Sequence, residues 1–301
     1  MTISRRIAIA LVLLSALGFG SMAIFAKIAY ASGLTPTMLL TLRFGLAVAL
    51  LAPVVWIMRV RLPRGRALAG FAFMGALYTA QSQSYFTALV HASSGLVGLL
   101  LYVYPVLVTV LAVALGWEKL DRRTVALLAL AISGMAVMLG GDLQGTALGI
   151  TLGLAAAGIY AVYIVIGGRL TQGTDPLAAT LVVMAAAAVG NGSIAVTSGA
   201  ALPSDATTWL AILAIAFATV VAIACFLVGI KYVGPAQASI ISTLEPVITL
   251  CLGIALLGES ASAGQLAGGA MVLAAVVMLA NRPKQKMQEV RADQDCTQAA
   301  A

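Results

Sequence analysis

The sequence predicts an all-α polytopic membrane protein, with ten transmembrane helices arranged as two inverted five-helix repeats around a central cavity. Three observations carry that prediction. First, 62% of the 301 residues are hydrophobic and only 9% charged, with a mean hydropathy of +1.07. Soluble domains are about 25% charged, so lipid must be the main solvent here. Second, the apolar residues fall into ten stretches of the roughly 20 residues needed to cross a hydrocarbon core of about 30 Å. They lie near 7–30, 36–58, 67–90, 94–115, 122–140, 147–168, 176–197, 207–230, 236–257 and 262–281. Third, Tyr104-Pro105-Val106 followed by Glu118 matches Glu245-Pro246-Val247 followed by Glu259, every position displaced by 141 residues.

Taken in order, the first span follows Arg5-Arg6, and with Ala29-Tyr30-Ala31 it imitates a secretory signal and its cleavage site. A signal core is about 7–15 residues long, whereas this run extends from Ile7 past Ile24. It is read as a membrane span. Ser32-Gly33-Leu34-Thr35-Pro36 separates it from the second span, and Leu62-Pro63-Arg64-Gly65 separates the second from the third. The third carries the densest polar run, Tyr78-Thr79-Ala80-Gln81-Ser82-Gln83-Ser84-Tyr85, which cannot face lipid. Within it Tyr78, Gln81, Ser82 and Tyr85 recur at helical spacing and form one polar and aromatic stripe. The stripe reads either as a cavity lining or as interhelical hydrogen bonding. The fourth span adds Tyr102 and Tyr104, the sixth Tyr160 and Tyr163. Gly140-Gly141-Asp142, Thr174-Asp175-Pro176 and Leu202-Pro203-Ser204-Asp205 punctuate the spans around the sixth and seventh.

The ninth span holds Glu245 about ten residues from its start, which at 1.5 Å per residue is about 15 Å deep, near the midplane. An ionised group there costs about 2.5–3.5 kcal/mol on insertion scales. Glu245 therefore reads as a group that binds a substrate ammonium or carries a coupling proton, or as a hydrogen-bonded lock between helices. Ser242, Glu245 and Thr249 are expected on one helical face, and Pro246 frees a backbone carbonyl beside them. The matching position in the first repeat is Tyr104, so the duplication is asymmetric where the chemistry would be.

Lys27 and Arg43 are the two bases that lie within spans away from the cytoplasmic face. Two readings stay open for them, attraction of a substrate carboxylate or pairing with helix C-terminal carbonyls. Glu118 and Glu259 are expected to cap the helices that follow them. Gly18, Gly20, Gly264, Gly268 and Gly269 allow close helix approach, and the tenth span offers a dimer contact. Cys225 and Cys251 lie in spans and Cys296 in the tail, which argues against a disulfide framework. His91 is the only histidine and makes neither a metal site nor a triad.

The remaining bases give the topology. With the N-terminus inside, Arg5, Arg6, Arg59, Arg61, Arg64, Arg66, Lys119, Arg122, Arg123, Arg169, Lys231, Arg282, Lys284, Lys286 and Arg291 all fall on the cytoplasmic face. The net charge of +7 is thereby accounted for by topology and anionic lipid, and nucleic-acid binding is excluded. Residues 1–141 form the first repeat and 142–281 the second. Five crossings per repeat make the second copy inverted. The tail, 282–301, is expected to be cytoplasmic and disordered.

Inverted repeats that rock about a midplane site are typical of secondary transporters. The motifs point the same way. Phe25-Ala26-Lys27-Ile28, Arg43-Phe44, Ala88-Leu89, Pro105 with Gly116-Trp117-Glu118, and Glu245-Pro246 with Gly258-Glu259 together resemble the drug/metabolite transporter superfamily, EamA type. The resemblance covers about residues 7–281, and within the superfamily it is nearest to the YddG-type amino-acid exporters. It implies a ten-helix basket with a central cavity, exporting small metabolites. The expected substrate is an aromatic or large apolar amino acid, bound by Tyr78, Gln81, Ser82, Tyr85, Tyr102, Tyr104, Tyr160, Tyr163, Ser242, Glu245, Lys27 and Arg43. No cofactor, metal or ATP-binding loop is expected, and the protein is expected as a monomer or weak dimer in the bacterial inner membrane. The rival readings are export of another metabolite or drug-like solute, and a membrane-embedded enzyme. The enzyme would need a cluster of acids, His or Cys that the spans lack.

Overall fold

The structure, a computed structural model, describes residues 3–118, 121–140, 143–198 and 202–281. The expected disordered tail and Cys296 lie outside them. Among the described residues the chain forms twelve α-helices. In order they are α1 (Arg5–Ala31), α2 (Pro36–Ile57), α3 (Arg66–His91), α4 (Ser94–Leu101), α5 (Tyr104–Ala114), α6 (Arg122–Leu139), α7 (Ala147–Leu170), α8 (Pro176–Ser198), α9 (Ala206–Val233), α10 (Pro235–Ser242), α11 (Glu245–Leu257) and α12 (Ala263–Ala280).

Local chemistry sets most of the starts. Ser4, Thr35, Ser93, Asp121, Thr146, Asp205 and Ser262 each accept a hydrogen bond from the third amide of the helix that follows. Each such cap contributes about 1 kcal/mol. The caps correct one expectation. α6 is capped by Asp121 and α12 by Ser262 with Gln265, so Glu118 and Glu259 are free for other partners.

Nine stretches among the described residues are long and apolar enough to cross a bilayer, with α4–α5 and α10–α11 each forming one of them. α3 has the length, 26 residues. Its polar run, Tyr78 to Tyr85, lowers its hydropathy, and it completes the ten by packing that polar face against α7 and α8.

The fourth and ninth spans are broken at the same place. α4 stops at Leu101 and α5 begins at Tyr104; 141 residues on, α10 stops at Ser242 and α11 begins at Glu245. Pro105 and Pro246 are the second residues of the new helices, where each lacks the N–H that would bond the carbonyl four residues back. The chain tightens instead, through Val103 N–H to Leu100 O at 3.2 Å and Leu244 N–H to Ile241 O at 3.1 Å. Ser242, Glu245 and Thr249 are therefore not on one continuous helix. Ser242 closes α10, and the other two stand on α11.

The halves interleave. α1 packs most extensively on α9 and α3 on α7, which are the same contact exchanged between repeats. α2 pairs with its own mate α8, and α6 with its mate α12. The α6–α12 contact is close enough that a Cβ on Gly134 would stand 2.8 Å from the Gly268 carbonyl oxygen. The tenth-span glycines thus serve packing inside the chain: Gly264 and Gly268 face α6, and Gly269 faces α11. The glycine face of α12 is thus used within the chain, while Leu266, Leu273, Val277 and Met278 of the same helix stay exposed.

Connectivity and contacts define two ends. At one, Arg5 donates to Gln237 Oε1 at 3.1 Å and to the carbonyls of Leu279 and Ala280, while Gln172 donates to Lys231 O. At the other, Lys27 meets Glu259 and the Thr208 hydroxyl donates to that of Ser32.

Candidate functional site

The site is assembled from the interior faces of α2, α3, α5, α7 and the α10–α11 break. It begins at Arg43, early in α2. Its Nε donates to Thr219 Oγ1 of α9 at 2.7 Å and one Nη to the Tyr78 hydroxyl at 3.3 Å. The guanidinium also stands 4.8 Å from the Phe44 ring centroid and 5.9 Å from that of Tyr78, within cation–π range. Beside it opens a cavity of about 120 Å³ whose walls are mostly apolar, with Met22, Tyr30, Leu40, Phe86 and Ile215 among them. The Tyr30 hydroxyl is buried there without a protein partner.

From Arg43 a run of rings leads inward. Tyr78 meets Tyr163 edge-on at 5.5 Å and Tyr160 at 6.4 Å. Tyr160 stacks on Tyr163 at 5.8 Å and an interplanar angle of 17°, and meets Tyr104 at 4.8 Å. Tyr104 lies 6.1 Å from Tyr102. Each such contact is worth about 0.5–1.5 kcal/mol beyond the area it buries, so the rings form a stiff wall. The phenols of Tyr102, Tyr104 and Tyr160 are within electrostatic reach of Glu245, where the run ends.

Glu245 opens α11 directly after the break. Its Oε1 is buried and has no hydrogen-bond partner in the protein. A buried carboxylate oxygen in that condition carries a desolvation penalty of several kcal/mol unless something else meets it. Its backbone is anchored: Thr249 Oγ1 donates to Glu245 O at 3.1 Å and to Gly20 O of α1 at 2.8 Å. Ser242, fully buried, closes α10 beside it. Across the repeat, Tyr104 has what Glu245 lacks, since its hydroxyl donates to Ser239 O at 3.4 Å.

Of the residues singled out in the sequence, the structure gathers Arg43, Tyr78, Tyr102, Tyr104, Tyr160, Tyr163, Ser242 and Glu245. Ser82 is buried but turned back on its own helix, donating to the carbonyls of Tyr78 and Thr79. Gln81 is half-buried on α3, and Tyr85 packs edge-on against Phe86 at 5.5 Å. Lys27 is not brought to the site. It forms an ion pair with Glu259 at the chain's far end, and both side chains are well exposed.

Two residues escaped the sequence reading. Thr219, in an apolar stretch of α9, positions Arg43, and nothing in its neighbours signals that role. Asn191 of α8 is buried and accepts from Gln83 Nε2 at 3.0 Å while donating to Ala187 O at 2.9 Å. A lone amide within an apolar span was a readable signal for it. This network takes Gln83 away from the cavity and locks α3 to α8.

Outside the membrane, burial pushes the Glu118 carboxyl up to about 7, opposed by the hydrogen bond it accepts from the Ala236 N–H. Trp117, next to it, lies under the Arg169 guanidinium at 4.5 Å. Exposed Asp205 is held below the usual carboxylate range by the Thr208 hydroxyl and amide it caps.

Comparison with known proteins matches this geometry to a lineage. The sequence pattern of the EamA-like transporter family fits the chain twice, over residues 6–140 and 147–281. An uncharacterized transporter of Archaeoglobus fulgidus is 30% identical over 214 residues, which are 71% of this chain and 76% of that protein. A crystal structure superposes with a TM-score of 0.81 at 20% identity, covering 92% of this chain and 99% of the other, and so shares the fold. The double match repeats the five-helix halves seen in the broken spans, and the chain belongs to the EamA-like transporter family, as a multi-pass membrane transporter of the drug/metabolite superfamily.

Proposed function

We propose that the chain is a secondary transporter that exports amino acids, aromatic or large and apolar ones, by alternating access, in the manner of the YddG-type exporters. The observation that carries this reading is the run of packed tyrosine rings that links Arg43, beside its cavity, to Glu245. Its two charges are separated by several rings, so one amino acid engages them in turn. Glu245, with a buried oxygen lacking a partner, meets the substrate ammonium near the midplane. Arg43 and the unpartnered Tyr30 hydroxyl meet the carboxylate nearer the end. Tyrosine rings suit a solute with a polar head and an apolar body. The Arg5 end, which holds the basic loops, faces the cytoplasm of a bacterial inner membrane. The relatives are transporters, and the site needs no catalytic group for this work.

The test is counterflow in liposomes with radiolabelled phenylalanine, leucine and other amino acids. Saturable exchange that is lost in Glu245→Gln and weakened in Tyr78→Ala supports the reading. If no amino acid exchanges while other metabolites do, the substrate assignment fails and the transporter fold stands.

A further inference from the structure

Glu118 and Glu259 occupy the same position in the two repeats, and their backbones agree. Glu118 N–H donates to Ala112 O and Glu259 N–H to Gly253 O, both at 3.2 Å. The side chains part company. Glu118 crosses to the other half and accepts from the Ala236 N–H at 3.3 Å, supplying the cap that Gly234, without a side chain, cannot give α10. Glu259 folds back over its own helix and pairs with Lys27 of α1.

Two matched pairs of positions explain the choice. A Cβ on Gly234 would stand 2.7 Å from Oε1 of the docked Glu118. Its repeat mate is Ser93, which has that Cβ and whose hydroxyl already accepts from Leu96 N–H. A Cβ on Gly253 would stand 2.5 Å from Oε2 of the folded-back Glu259. Its mate is Ala112, which again has one. Glu118 therefore has room to dock and none to fold back, and Glu259 the reverse.

Helix packing shows the same asymmetry. At the Arg5 end α10 lies on α5 and reaches α6 and α7. At the other end the matching pair, α4 and α11, has no comparable packing among the described residues. The cavity beside Arg43 is lined from that half of the molecule, by the later turns of α1 and the first turns of α2. We propose that Glu118, docked on the N-terminus of α10, is the latch that holds the Arg5 end shut. The Gly234/Ser93 and Gly253/Ala112 differences make this closed-at-Arg5 conformer the resting state. Passage to the opposite conformer requires Glu118 to leave α10.

Spin labels at Leu115 and Lys231 span the latched end, and labels at Val90 and Leu256 are their repeat mates across the other. The full chain, with Cys225, Cys251 and Cys296 replaced, is measured in nanodiscs without substrate, so the outcome is separate from the transport assignment. In the otherwise native chain the Leu115–Lys231 distance is the shorter of the two; the opposite order overturns the proposal before any latch variant is made. Glu118→Ala raises the ratio of conformers open at the Arg5 end about fivefold, the equivalent of a lost helix cap, while Glu259→Ala leaves it unchanged. An unmoved Leu115–Lys231 distance in Glu118→Ala, or an equal shift in Glu259→Ala, overturns it as well.

Discussion

The two broken spans have one backbone and two chemistries. Both stop three residues before the next helix begins, both resume with proline at the second position, and both tighten through the same kind of short turn. At the first residue after the break, one presents Tyr104, 1% exposed, packed among rings and bonded to Ser239 O. The other presents Glu245, half-buried and with an oxygen that nothing in the protein meets. The break itself is thus a structural device repeated for its geometry. The two copies part at the side chain that follows the break, and the proposed substrate contact rests on the carboxylate of the second.

The largest effect should come from testing that contrast directly. Glu245→Gln keeps the shape and removes the charge, and transport should fall on the order of a hundredfold, the scale of losing one partner of a desolvated charge pair. Tyr104→Phe keeps the ring and removes the hydroxyl that bonds Ser239 O, and transport should fall less than about threefold. Equal losses in counterflow would erase the distinction between the halves.

A second contrast lies between Glu118 and Glu259. Burial in the docked pose holds the Glu118 carboxyl at about 7, above its ordinary 4.5. The docked pose therefore takes up a proton. Docking is strongest below the ordinary value, weakens as pH rises through about 7, and is flat beyond. Between pH 5.5 and 8 the population open at the Arg5 end should rise severalfold, short of the tenfold per pH unit that full burial would give. Glu118→Gln, which still accepts from Ala236, should flatten the profile; a profile unchanged in that variant would assign the titration elsewhere.

Much of this was legible in the sequence because each feature is local. Span lengths, basic loops, Pro105 and Pro246 at matched spacing, and Glu245 at midplane depth follow from neighbours in the chain. Partners were not legible. Periodicity tells which face of a helix is polar but not which helix covers it, and the interleaved halves place partners far apart. Lys27 meets Glu259 across 232 residues and Arg43 meets Thr219 across 176. Glu118 was read as a cap for the next helix, and it caps one in the other repeat. The polar run of α3 left cavity lining and interhelical hydrogen bonding both open, and it divides between them: Gln83 bonds Asn191 of α8, Ser82 turns back on α3, and Tyr78 faces Arg43.

The smallest effect concerns the anchor behind Glu245. Thr249 ties the first turn of α11 to Gly20 O of α1, and its repeat mate is Val108, fully buried and without a hydroxyl. At this position the first repeat holds its break by packing alone, its interhelical bond coming from Tyr104 instead, and the second adds a hydroxyl bonded to α1. Such a bond averages about 0.6 kcal/mol in membranes. Thr249→Val should cost about that much in unfolding free energy, read as a small drop in thermal midpoint in detergent. It should also loosen the carboxylate it backs, raising the half-saturation concentration of transport by less than about threefold. Val108→Thr should gain nothing unless its hydroxyl finds a carbonyl across the interface. If Thr249→Val instead abolished transport with the fold intact, the hydroxyl would belong to the substrate, and the second half would contribute Thr249 as well as Glu245 to binding.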